Sequence, residues 1–231
     1  MTHSKTEVLK MMAINPWFAG LPLAERKAML AVATWVPVTA GEVVYRKGDE
    51  GGSFYGVLDG VLRVSITGED GREGILSVLE AGNWFGEMSL LDGERRPHDV
   101  TVLRDGVLLV ITPQDFWRLM GRIGFAHGMT TLLSARVRGL SGLVEDTMLR
   151  STRMRVARRL ISLAKGDMTM AAQVRTGVHV SHEELAMMLG VTRQTLAKEL
   201  KHFVSEGALA LGYGHIDFLD MALLQREAAL A

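Results

Sequence analysis

Between Val36 and Thr112 six short β-prone runs follow one another: "EVVYR", "SFYGVL", "VLRVSIT", "ILSVL", "DVTVL" and "VLLVIT". Glycine-bearing breaks such as "KGDEGG", "LDG", "GEDG" and "EAGN" separate them. β-Branched residues favour a pleated surface, and short strands at this spacing predict a compact antiparallel roll or barrel. Gly41, Gly48, Gly60, Gly71 and Gly82 fall at the expected turns, where a positive φ costs glycine nothing. Residues 1 to about 30 read as short helices broken at "NPW" and "GLP".

At Thr112 the pattern switches to helix. "TPQD" supplies a Thr N-cap, Pro at the first helical position and an acid at the third. A longer helix is predicted from about Gly124 to Leu149, with Leu133, Val137, Leu140, Val144 and Thr147 recurring at a 4,3,4,3 spacing. That is the seam of a two-helix coiled coil, so homodimerisation is preferred over packing of the stripe on its own domain. Gly139 and Gly142 each weaken the helix by about 1 kcal/mol relative to Ala, yet let another backbone come close.

The remainder reads as a second unit. A helix "MRVARRLISLA" ends at "KGD", a hairpin "AAQVRTGVHV" turns at Thr176 and Gly177, and two short helices precede a further hairpin. In "SHEELAMMLGVTRQTLAKELKHFVSEGAL", Ser181 and Glu184 form a capping box that starts one helix. Leu185, Met188 and Leu189 give it an apolar face, and Gly190 ends it. Thr192 caps the next helix, whose buried stripe is Leu196, Leu200 and Phe203. Two short helices joined by a tight glycine turn make a helix-turn-helix, and the hairpin "LALGYGHIDF" adds a wing. Arg193, Gln194, Ala197, Lys198 and Lys201 are left on the outer face. Arg and Lys can pair with guanine O6 and N7, and Gln can pair with adenine, which is the chemistry of a major-groove reader.

The formal net charge is zero, so no uniform positive coat drives nucleic-acid binding. "RSTRMRVARR", Arg150 to Arg159, nevertheless holds five arginines and no acid. Such a run is an electrostatic footprint of DNA binding or only a solvated helix face. The absence of cysteine excludes disulfides, thiolate zinc, Cys-ligated iron–sulfur clusters and a Cys nucleophile. The longest aliphatic run, Val107 to Ile111, is far short of a bilayer span, and "MTHSKTEVLK" lacks a signal-peptide core, so a cytoplasmic protein with no membrane partner is expected. His179 and His182 are better explained around a helix cap than as metal ligands, and no nucleophile, phosphate-loop or paired-carboxylate motif suggests an enzyme.

With both halves in view, the chain resembles the CRP/FNR family of bacterial transcription regulators, in "GEVVYRKGDEGGSFYGVLDGVLRV", "GNWFGEMSLLDGERR" and "EELAMMLGVTRQTLAKELK". The resemblance implies an α+β chain: an N-terminal cyclic-nucleotide-type β-roll with flanking helices over 1–122, a dimerisation helix and hinge over 123–150, and a winged helix-turn-helix over 151–231. It implies a homodimer on a two-fold-symmetric operator that recruits or blocks RNA polymerase, with Thr192, Arg193, Gln194, Lys198 and Lys201 facing DNA. It also implies an effector cassette. Gly86 and Glu87 match its opening, the N–H groups at Met88 begin its short helix, and Arg96 matches the arginine that neutralises a phosphate.

Departures from the family pattern leave the effector open. Pro97 stands where a phosphate-binding serine is expected and lacks both hydroxyl and N–H, while His98 is a substitute donor or an ordinary hydrogen-bonded residue. The adenine-facing Thr-Ser pair falls at Leu140 and Ser141, of which only Ser141 keeps a hydroxyl. Cyclic AMP or a close relative, another ligand, or none with Glu87 and Arg96 kept as a structural salt bridge are the alternatives. A helix-turn-helix used for protein contacts is the rival from another class. No haem motif is present, and Gln194 in place of the family's acid shifts the expected base preference from cytosine toward adenine.

Overall fold

The computed structural model describes residues 4–166 and 175–229, which fall into two compact units. The first comprises the described residues up to Gly71 together with Leu76–Ser134, and the second Arg72–Ile75 with the described residues from Ala135 onward.

The first unit opens with α1 (Lys5–Met12), α2 (Pro16–Gly20) and α3 (Leu23–Val32). Ser4 and Glu7 form a capping box on α1, and Asn15 accepts from the Trp17 N–H to start α2 with Pro16 at its first position. Six strands follow: β1 (Thr34–Val38), β2 (Val43–Tyr45), β3 (Phe54–Thr67), β4 (Glu73–Glu80), β5 (Trp84–Phe85) and β6 (Asp99–Ile111). They form one sheet in the order β1-β6-β3-β4, with β2 also on β6 and β5 on β3. The β1–β6, β2–β6, β3–β5 and β3–β6 pairs are antiparallel.

Six β-prone runs are thus not six strands. "SFYGVL" and "VLRVSIT" belong to the single strand β3, and "DVTVL" and "VLLVIT" to β6. The break "LDG" is a bulge, facing "RDG" of β6, in a ladder that runs from Phe54↔Ile111 to Ser65↔Asp99. Gly60 and Gly106 meet there, and a Cβ on Gly106 would lie 2.1 Å from the Asp59 carbonyl oxygen. Glycine at the bulge lets two backbones cross that closely while pairing continues on either side.

Between β5 and β6 lies α4 (Met88–Asp92), and after β6 come α5 (Pro113–Met120) and α6 (Ile123–Leu149). Thr112 caps α5 as its spacing predicts, accepting from the Asp115 N–H. An aromatic seam packs α2, α5 and the start of α6 on the roll: Phe18 stacks on Trp84, Trp84 on Phe54, and Phe116 meets both Phe54 and Phe125 edge-on.

In the second unit, α7 (Thr152–Ala164), β7 (Gly177–Val178), α8 (His182–Leu189), α9 (Arg193–Ser205), β8 (Leu209–Gly212), β9 (His215–Phe218) and α10 (Met221–Ala229) surround one core. Leu160, Leu185, Leu196, Leu200, Phe203, Ile216 and Leu224 are all fully buried in it. The three strands pair antiparallel in the order β7-β9-β8. Residues 171–174 of the expected "AAQVRTGVHV" hairpin lie outside the described residues, and Gly177–Val178 pairs with β9. The hairpin expected in "LALGYGHIDF" forms as β8 and β9. Helix α10, which the pattern reading missed, starts where Asp220 accepts from the Leu223 N–H.

Candidate nucleic-acid interface and effector cassette

The turn between α8 and α9 is built from local chemistry. Ser181 Oγ accepts from the Glu184 N–H at 3.1 Å, and Glu184 Oε2 accepts from the Ser181 N–H at 2.8 Å. Gly190 closes α8 in the left-handed region with φ 63°, and Thr192 Oγ1 accepts from the Thr195 N–H at 3.1 Å to open α9. With Leu196, Leu200 and Phe203 committed to the core, Thr192, Arg193, Gln194, Lys198 and Lys201 all stand exposed. Among the described residues, no intramolecular ion pair or side-chain hydrogen bond engages Arg193, Gln194, Lys198 or Lys201.

The arginine run on α7 behaves differently from either expectation. Arg150 pairs with Glu145 at 3.0 Å, Arg158 with Asp146 at 2.5 Å, and Arg153 with Glu199 of α9 at 2.9 Å. Arg155 donates to the Leu189 carbonyl at 2.5 Å, satisfying the end of α8, and Arg159 is buried. The hydrogen bond that Arg153 donates to Glu199, more than the charge of that carboxylate, raises the Arg153 pKa above the ordinary guanidinium value. Arg153 and Arg155 therefore brace the helix-turn-helix, Arg150 and Arg158 tie to α6, and within the helix-turn-helix the unengaged cations lie on α9.

Gly86, Glu87, Met88 and Arg96 come together in the first unit around α4. Arg96 Nη1 donates to the Gly86 carbonyl at 2.8 Å and Nη2 to the Ser53 carbonyl at 3.0 Å. Its Cζ lies 4.2 Å from the centroid of the Tyr45 ring and 5.9 Å from that of Tyr55. The main chain of Arg96 is paired as well: Gly48 N–H donates to its carbonyl and its own N–H donates to Asp49, both at 2.8 Å. Glycines make room for the fork. A Cβ on Gly86, where φ is +94°, would lie 2.9 Å from the Ser53 oxygen, and one on Gly52 would lie 3.1 Å from Nη2. Glu87 is 0% and Arg96 3% exposed, while Met88 faces solvent.

The structural alternative for Arg96 accordingly takes a form other than a carboxylate bridge, with main-chain oxygens as acceptors. His98 Nε2 lies 3.2 Å from the Tyr45 hydroxyl, so this histidine supports the ring beneath Arg96. Tyr45, Ser53 and Tyr55 were not anticipated from sequence; the glycine pair in "EGGSFY" was the available hint. Ser141 stands exposed on α6 in the second unit.

On α6, Val137, Leu140 and Val144 are exposed and Leu133 is half-buried. Thr147 turns aside, its hydroxyl donating to the Leu143 carbonyl at 2.9 Å, and Met148 continues the apolar stripe. A straight helix repeats after 11 residues, the Val137 to Met148 interval, where a strict heptad would select Thr147. The ring of His179 lies 4.5 Å from that of His215. Among the described residues no group of three His, Cys, Asp or Glu could hold a metal ion, and no helix is long and apolar enough to cross a membrane.

Residues 35–122 match the cyclic nucleotide-binding domain family, and residues 154–227 the Crp-like helix-turn-helix domain family. The cyclic AMP receptor protein of Thermus thermophilus is 31% identical over 93% of this chain and 97% of its own length. The transcriptional regulator LdrP of the same organism is 30% identical over 82% and 94%. The structure of a CRP-family transcriptional regulator, also from Thermus thermophilus, superposes with a TM-score of 0.67 at 28% identity, covering 85% of this chain and 97% of that one. The structure of FixK2 from Bradyrhizobium japonicum, at TM-score 0.74 and 19% identity over 87% and 99%, agrees in fold alone. A roll of cyclic-nucleotide-binding type joined to a helix-turn-helix of Crp type, with relatives that regulate transcription along nearly the whole chain, places this protein in the CRP/FNR family of transcription regulators.

Proposed function

We propose that the protein binds a two-fold-symmetric operator as a homodimer and that α9 enters the major groove. The observation that carries this reading is the outer face of α9, where Arg193, Gln194, Lys198 and Lys201 are exposed and unengaged while the opposite face is fully buried. Arg193 and Lys198 pair with guanine, Gln194 pairs with adenine, and Thr192 and Lys201 meet the backbone. The exposed stripe of Val137, Leu140 and Val144, with Leu133 at its start, supports two-fold pairing through α6. In this reading residues 1–122 sense, 123–150 pair and 151–231 read DNA. The protein is a cytoplasmic non-enzyme that acts on RNA polymerase.

The effector reading is a cyclic nucleotide of the cyclic AMP class, held in the first unit at Gly86, Glu87, Met88 and Arg96. The family match over 35–122 and the name of the first relative support it. A helix start and a guanidinium fork suit a phosphate, which would draw Arg96 away from its carbonyl acceptors. The burial of Arg96 favours a second reading, in which the cassette stays closed and operator binding needs no effector.

Fluorescence anisotropy with a labelled operator across a salt series, with and without cyclic AMP or cyclic GMP, tests both. A regulator loses affinity steeply as salt rises, because phosphate contacts release counterions. Flat salt dependence with no bound duplex would count for the protein-contact alternative. Equal affinities with and without nucleotide would select the effector-independent form.

A further inference from the structure

On α6, Arg138 and Asp146 lie away from the apolar stripe of Val137, Leu140 and Val144. At about 100° per residue, Gly142, five positions beyond Val137, is turned roughly 140° from the stripe. It is therefore not placed to bring a second α6 close at that seam. The face carrying Gly142, together with α7, α8 and α10, lines a cavity of about 470 Å³ within the second unit. Its wall holds five cations, Arg138, Arg155, Arg158, Arg159 and Lys165, against one carboxylate, Asp146.

Asp146 is already engaged by Arg158 at 2.5 Å. Arg138 and Lys165 have neither an ion pair nor a side-chain hydrogen bond among the described residues. Like charges around a half-enclosed space repel more strongly than in bulk water, and the one carboxylate in this wall is taken by Arg158, so it does not serve Arg138 or Lys165. Gly142 gives a second, independent observation. A Cβ there would meet no heavy atom within 4 Å, so packing does not demand a residue that costs a helix about 1 kcal/mol relative to Ala. Space is kept where positive charge is unbalanced.

We propose that this cavity is a second ligand site, taking a small phosphate-bearing molecule with more than one negative charge. Its volume lies within the roughly 300–1,000 Å³ of small-molecule pockets. Arginine forks match phosphate oxygens in pairs, and the free Arg138 and Lys165 supply charge that no protein group neutralises. Duplex DNA is too wide to enter between helices, so the occupant is a small molecule.

Calorimetric titration of the full chain with inorganic pyrophosphate tests the site. Saturable binding of one pyrophosphate per chain is expected, and the Arg138→Ala/Lys165→Ala double variant weakens it about tenfold or more. Both side chains are exposed and unengaged, so the variant folds. Gly142→Leu keeps every charge, favours helix and fills the space; it is expected to abolish the same binding. Non-saturable uptake, or affinity unchanged in either variant, overturns the proposal.

Discussion

The guanidinium of Arg96 lies over the ring of Tyr45, with Cζ 4.2 Å from the ring centroid, and its two terminal nitrogens bond to carbonyls of Gly86 and Ser53. A single side chain thus ties the start of the cassette, the chain before β3 and the end of β2. Arg96→Ala leaves two carbonyls without their charged donor and lowers stability by about 2–4 kcal/mol in the absence of any ligand. Arg96→Lys recovers less than half, since an ammonium neither forks nor stacks as a guanidinium does. Urea unfolding followed by tryptophan fluorescence reads both, and an unchanged midpoint for Arg96→Ala would remove the strut.

Gly86 is required by conformation and by space. Its φ of +94° is one that side chains rarely adopt, and an added Cβ would press on the Ser53 oxygen at 2.9 Å. Gly86→Ala is expected to cost roughly 2 kcal/mol or more, through strain at a positive φ together with displacement of the Arg96 acceptor. Thermal denaturation by circular dichroism checks it.

In the proposed docking, two residues on α9 divide base reading from backbone holding. Gln194→Ala should lose about 1–3 kcal/mol of discrimination at one base pair while leaving non-specific affinity nearly intact. Lys201→Ala should weaken all duplexes alike and reduce the salt slope by about one. Competition binding with an operator library at several salt concentrations distinguishes these outcomes; identical behaviour of the two variants would refute the division of roles.

Val144 is 57% exposed in a single chain, a cost that pairing of α6 with a second copy removes. Val144→Asp places a charge in that seam and is expected to yield monomers in sedimentation velocity. Loss of the second half-site contact then lowers operator affinity roughly 100-fold. A dimeric Val144→Asp protein would place the interface elsewhere.

The helix-turn-helix was legible almost residue by residue. Ser181, Glu184, Gly190 and Thr192 act on N–H groups or φ angles within a turn of themselves, so their identities suffice to set where α8 and α9 begin and end. The roll was legible as a class but not in its strand count. Whether "LDG" turns or bulges depends on Gly106 facing Gly60 across the ladder, and that pairing is remote in sequence.

From the residues alone came the antiparallel roll, the long helix, the capped reading helix and the glycine turns, because caps, periods and turns are satisfied by neighbours in the chain. Only the folded molecule decided where the arginines go. Arg153 reaches Glu199 across 46 residues and Arg96 reaches Ser53 across 43, and the surrounding core chooses those acceptors. A charged side chain advertises what it can bond to, while the packing of distant elements determines which partner arrives within about 3 Å.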